Sequence, residues 1–221
     1  MYQTVTAPPT DCTPAARVTR SLLGYGILAG PLYVVVSLAQ ALTRDGFDLT
    51  RHQWSLLSNG ALGWIQITNF VVTGLMVTAS AAGLRRALAP GRWASRLVAG
   101  YGAGLVCAGI FRADPALGFP PGTPAGAGTV SWHGILHFAS GAVGFGCLIA
   151  ACFVVARRFA AEGRARWAAY SRVTGVLFLA GFVGVATGGG SAATNLGFVG
   201  GILIGWAWLT ALSIHLYRTT H

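Results

Sequence analysis

The sequence predicts an all-α, polytopic six-helix transmembrane bundle, and three observations predict it. Hydrophobic residues make up 54% of the 221-residue chain and charged residues only 9%, where a soluble domain carries about 25% charged residues. Mean hydropathy is +0.62. The apolar residues fall into six charge-poor runs, each long enough to approach or exceed the roughly 30 Å of a bilayer's hydrocarbon. None alternates with a period of two, so helices are expected rather than barrel strands.

The elements follow in order. Residues 1–20 form a Thr-, Ala- and Pro-rich tail, expected to be disordered and cytoplasmic. The first span, Ser21 to Thr43, is too long for a signal-peptide core and no small-residue cleavage site follows it, so it is expected to stay in the mature chain. The second runs from Ala61 to Leu84, the third from Ser95 to Phe111 and the fourth from Trp132 to Ala156. The fifth, Val173 to Gly190, ends in a Gly188-Gly189-Gly190-Ser191 reversal; the sixth, Asn195 to Tyr217, leaves a short cytoplasmic end at 218–221. Gly26 and Gly30, Gly100 and Gly104, and the series Gly197, Gly201 and Gly205 have the spacing that lets helix backbones approach, and intramolecular packing is their expected use. The lone Cys12 and the apolar Cys107, Cys147 and Cys152 suggest no disulfide framework.

All fifteen basic residues are arginine, giving a net charge of +10. With six crossings, twelve fall on one side (Arg17, Arg20, Arg85, Arg86, Arg92, Arg96, Arg157, Arg158, Arg164, Arg166, Arg172 and Arg218), while Arg44, Arg51 and Arg112 fall on the other. This asymmetry predicts an inner-membrane protein with both termini in the cytoplasm and contacts with anionic lipid. Nucleic acid is not an expected partner, because the charge is scattered over three loops and two tails. Trp54, Trp64 and Trp132 fall near one predicted interface and Trp93 and Trp167 near the other, as an aromatic belt requires.

The unusual polar residues gather on the outer side. The first outer loop holds Asp45, Asp48, Arg51, His52 and Ser55; the second holds Arg112, Asp114, a Pro/Gly-rich stretch from Pro115 to Thr129, then Ser131, His133 and His137. His133 and His137, at i and i+4, should share one helix face. Gln66 and Asn69 share another, and Trp54, Trp64, Phe119 and Trp132 could wall a cavity. An outward pocket is thus expected, with Asp48, His52, Ser55, Asp114, His133 and His137 as candidate catalytic residues. Gln66, Asn69 and the four aromatic residues are the candidate substrate contacts, and the Pro/Gly-rich stretch the lid. One chemistry is zinc held by His133, His137 and one or two of His52, Asp48 and Asp114, with a position left open for water. Another is metal-free acid–base work, with Asp114 as acid and a histidine as base, on a lipid or isoprenoid. A third reading is structural: the cluster caps helices and ties loops in a scaffold, sensor or lipid-binding protein. No Gly-rich phosphate loop, CxxC pair or G-x-S-x-G elbow occurs.

Two stretches carry a family resemblance: His52-Gln53-Trp54-Ser55-Leu56-Leu57-Ser58-Asn59-Gly60-Ala61-Leu62-Gly63-Trp64-Ile65-Gln66-Ile67-Thr68-Asn69-Phe70, running on to Gly83-Leu84-Arg85-Arg86, and Phe111-Arg112-Ala113-Asp114-Pro115 with Trp132-His133-Gly134-Ile135-Leu136-His137. In these the chain resembles the bacterial six-span membrane proteins of domain-of-unknown-function family 998. The resemblance implies a six-helix bundle and no established activity. It departs at Asn59-Gly60-Ala61, where such proteins often place an acidic residue. The arginine-only basic set and Ala/Gly richness suggest an actinobacterial source. A looser similarity is to membrane hydrolases that bind zinc through three histidines; it would cast Ser55, Asp114, His133, His137 and His52 in those parts, although the seven spans and terminal-helix His pair of those enzymes are missing.

Overall fold

Local start and stop signals place the helices in the computed structural model, which describes residues 13–188 and 190–220. Thr13 caps the first helix, accepting a hydrogen bond from the Ala16 N–H at 3.2 Å, and Pro14 occupies the first turn, where its missing N–H costs nothing. Helix α1 therefore runs Pro14–Thr43. Within the expected tail Pro14 to Arg20 are helical, and residues 1–12, Cys12 among them, lie outside the described residues. The 3-10 helix Trp54–Ser58 precedes α2 (Gly63–Ala87) and α3 (Trp93–Ile110). Then come α4 (Trp132–Ala161), α5 (Ala165–Thr187) and α6 (Ala192–Thr219), with Ser131 and Ser191 capping α4 and α6. Apart from one isolated bridge, Ala116 to Phe119, no strand pairing occurs among the described residues.

Helices α4 and α5 reach further than their apolar runs, to Ala161 and back to Ala165. An apolar run reports hydrocarbon thickness, whereas backbone hydrogen bonding continues through arginine-bearing turns beyond it. Among the described residues, five of the six α-helices are long and apolar enough to cross a membrane. The other, α3, has 18 residues including Arg96 and spans about 27 Å.

Each helix packs on its neighbours in the chain, and α6 returns to α1, closing a ring. Small residues make the seams close. A Cβ on Gly104 would meet the Gly144 Cα at 2.8 Å, and one on Gly181 would meet the Gly197 carbonyl at 2.7 Å; Gly30 lies under Trp206 and Thr210. The glycine series thus works inside one bundle, as expected. Polarity is inverted relative to a water-soluble protein. Leu28, Leu75, Val143 and Val176 face outward, while Ser37, Gln66, Thr73, Ser80, Ser171 and Ser213 are buried. Outside water, exposed apolar side chains are at home and polar ones need internal partners.

The two ends of the ring differ. At the arginine end, Arg86 Nε donates to Thr19 Oγ1 at 3.1 Å and Arg20 Nε to the Tyr217 carbonyl at 3.2 Å. Arg158 donates to the Leu88 carbonyl and pairs with Glu162 at 2.8 Å. His215 belongs to this end, against Arg164, Phe159 and Trp167. At the opposite, loop end lie residues 44–62 and 111–131.

Candidate functional site

The loop end is fastened by backbone-directed side chains. Arg44, just past α1, donates to the carbonyls of Leu57 and Asn59, each at 2.5 Å, and its guanidinium lies 4.9 Å from the centre of the Phe119 ring. The Phe119 ring is buried against Phe47 and His52. His52, only 2% exposed, accepts the Asp48 N–H at Nδ1 (2.8 Å), so Nε2 carries the proton donated to the Leu117 carbonyl at 3.0 Å. Asp48 is exposed and caps its own turn: Oδ1 accepts from the Thr50 N–H and hydroxyl, which hold the carboxyl below its usual range. Asp48, His52 and Phe119 therefore form a clasp between the two loops.

Gln66 and Asn69 belong to a different place. Both are buried between α1 and α2, where Gln40 Nε2 donates to Gln66 Oε1 at 2.9 Å and Gln66 Nε2 donates to Ser37 Oγ at 3.1 Å. Asn69 Nδ2 donates to Ser37 Oγ and to the Tyr33 carbonyl, both at 3.1 Å. The amide N–H groups of this seam are spent inside it, while Gln40 Oε1 and Asn69 Oδ1 are buried without a partner among the described residues. Neither Gln66 nor Asn69 lines the cavities described below.

Asp114 and His133 share a crevice of about 300 Å³ with Asn59, Arg112 and Ser131. Both Asp114 oxygens serve the start of α4, accepting from the Ser131 N–H at 2.7 Å and the Ser131 hydroxyl at 2.5 Å. Ser131 Oγ in turn accepts from the Gly134 N–H at 3.1 Å. A carboxylate at the positive end of a helix dipole is a stabilising arrangement. The His133 ring stacks on Trp132, 3.7 Å between centres.

A cavity of about 350 Å³ opens in the loop-end half of the ring, with walls from all six helices and the 3-10 helix. Phe70, Tyr101, Phe145, Phe182 and Phe198 supply much of its surface, and no arginine, aspartate or glutamate lines it. Of the predicted residues only Trp54, Ser55 and His137 line it. His137 Nδ1 lies 3.0 Å from the Ala108 carbonyl and 2.8 Å from that of Phe111. These carbonyls end α3, where no further helical N–H is available to them. The lining residues open to the outside are Phe138 and Ala142 of α4 and Ala186 of α5, so the mouth lies between these two helices.

Residues 27–215 match the family described as "Protein of unknown function (DUF998)". The chain belongs to that family. No curated protein and no solved structure matches it.

For this DUF998 chain, the single outward pocket expected from the sequence resolves into four separate places: the loop clasp, the α1–α2 polar seam, the Asp114 crevice and the aromatic cavity. The zinc set does not assemble, for both His52 nitrogens hold backbone groups. Among the described residues no three His, Cys, Asp or Glu side chains gather where a metal ion could bind. Trp64 and Trp132 line neither the crevice nor the aromatic cavity; both are over 60% exposed on the bundle surface. Trp54, expected in the aromatic belt, is instead buried beside Tyr33. The expected lid contributes nothing to the aromatic cavity: Leu117 and Phe119 tie that stretch to the first loop. Sequence reasoning missed Tyr33, Tyr101, Phe145, Phe182 and Phe198, because an aromatic residue in a span reads the same whether it faces lipid, core or cavity. Arg44 was countable only as a charge.

Proposed function

We propose that this DUF998 protein is a six-span membrane protein of the bacterial inner membrane whose central cavity binds a hydrophobic small molecule of lipid or isoprenoid type. The observation that carries the reading is the cavity itself: aromatic walls, no charged side chain and a mouth between α4 and α5. Phe138 and Ala142 lie about 9 and 15 Å into α4, at a depth where the mouth would face hydrocarbon. Ligand sites of this size are commonly apolar with a few placed polar groups, and here His137, Ser55 and Gln53 are those groups. Trp54 is the retained aromatic contact. Binding, rather than acid–base turnover, is the reading favoured, since Asp114 is bonded to the α4 cap and does not line this cavity.

Native mass spectrometry of the purified protein tests this. A co-purifying hydrophobic molecule is expected in the wild type and lost from Ala142→Trp and Ala186→Trp, which plug the mouth. Equal retention by the plugged variants overturns the reading. Orientation with both termini in the cytoplasm is supported by the arginine-rich end that gathers Arg20, Arg86 and Arg158. A cysteine at exposed Ala125, in a background lacking the native cysteines, should react with an impermeant maleimide on intact cells; reaction only after permeabilisation reverses the orientation.

A further inference from the structure

Resting on that reading of the cavity, we infer that its ligand is an uncharged hydrophobic chain ending in a hydroxyl, and that the hydroxyl donates its hydrogen to His137 Nε2. The argument begins with the tautomer. His137 Nδ1 faces two backbone carbonyls, Ala108 at 3.0 Å and Phe111 at 2.8 Å. Carbonyl oxygens only accept, so Nδ1 must carry the hydrogen. In a neutral imidazole Nε2 is then an acceptor, and no protein group among the described residues donates to it. A doubly protonated ring would place an unpaired cation against aromatic walls, with no carboxylate lining the cavity to balance it. The ring therefore asks its ligand for a donor.

The rest of the lining narrows the class. Without an arginine at the cavity, a phosphate or carboxylate would enter uncompensated, so a phosphorylated or ionised headgroup is disfavoured. An ester, ether or quinone carbonyl brings only acceptors: it can meet Trp54 Nε1, a buried donor of the lining without a hydrogen-bond partner among the described residues, but it leaves Nε2 unpaired. A prenyl or other long-chain alcohol, or a quinol, brings the donor that is missing. The Ser140 hydroxyl is spent on the Leu136 carbonyl. The Ser55 hydroxyl and Gln53 amide make no side-chain hydrogen bond among the described residues, and can receive the ligand oxygen's lone pairs.

The test uses full-length protein in phosphatidylcholine nanodiscs and a diazirine-bearing prenyl alcohol as cross-linker. Geranylgeraniol, its methyl ether and its monophosphate compete for the site. The alcohol is expected to compete roughly ten-fold better than the ether, the cost of losing one hydrogen bond and leaving a buried acceptor unpaired. Cross-links should map to Phe138, Phe182 or other lining residues. In His137→Phe, alcohol and ether should compete equally. Because that change also frees the α3 carbonyls, ¹⁵N-histidine spectra of the wild type give a second readout: an Nδ1-protonated ring whose Nε2 signal shifts with the alcohol and not with the ether. Cavity cross-links with equal competition by alcohol and ether overturn the donor rule and leave the cavity reading standing. Strongest competition by the monophosphate overturns the uncharged class. Absence of cross-links in the cavity overturns the binding reading itself.

Discussion

His52 and His137 are both buried and both hold backbone atoms, yet the consequences differ. His52 spends both nitrogens, on the Asp48 N–H and the Leu117 carbonyl. Replacing it by Ala should lower the unfolding free energy by about 1–3 kcal/mol, since a backbone donor and a carbonyl lose their partners, measured as thermal melting in detergent. Ligand retention should survive, because the clasp lines no part of the cavity. Asp114→Ala should cost about 1 kcal/mol through the α4 cap, again without loss of ligand; a loss of ligand with unchanged melting would return Asp114 to the site. Asp48 sets a pH limit. Its carboxyl is held below the unfolded value by Thr50, so the stabilisation is complete above the ordinary carboxylate pKa of about 4 and fades as pH falls through the lower folded value. The share of loop-end proteolysis that depends on Asp48 should therefore rise only in acid below the ordinary carboxylate range. The side-chain chemistry of this end was legible as a list of unusual residues. Which partner each would take was not, because caps and clasps are made with backbone carbonyls and N–H groups that every sequence position supplies alike.

At the scale of helices, the seams decide. Gly104→Ala places a methyl against Gly144 and the Ser140 carbonyl, backbone that cannot rotate away. A loss of about 1–3 kcal/mol is expected. Gly200→Ala meets nothing within 4 Å and should be neutral or gain up to ~1 kcal/mol from helix propensity; paired melting curves compare them. The small-residue spacing was readable in the sequence, and so were the helices within a few residues. Their ends were less so: Thr13-Pro14 is a start signal that an apolar-run criterion passes over, and α4 continues through Arg157 and Arg158. The i, i+4 pair His133 and His137 shows the limit of face arguments. The end of α3 captures the inner ring by its Nδ1, and the outer ring is left stacked on Trp132 in a separate crevice.

For the whole molecule, composition and arginine placement were enough to read a helical membrane protein. The closed ring and its cavity were not, for they depend on which helices pack together and which side chains those contacts leave facing inward. Gly175 packs against Cys152 and Phe153 in the arginine-end half, and Phe145 meets Phe178 and Phe182 nearer the middle. Beyond those contacts lie Phe138, Ala142 and Ala186, the cavity-lining residues that are exposed on the surface. A side entrance of this kind changes what affinity means. A ligand entering between α4 and α5 is drawn from the surrounding bilayer, where its effective concentration is a mole fraction rather than a molarity in water. Occupancy would then follow the lipid composition of the host membrane. A detergent tail, presented at the same doorway, would act as a competitor in every preparation of the protein.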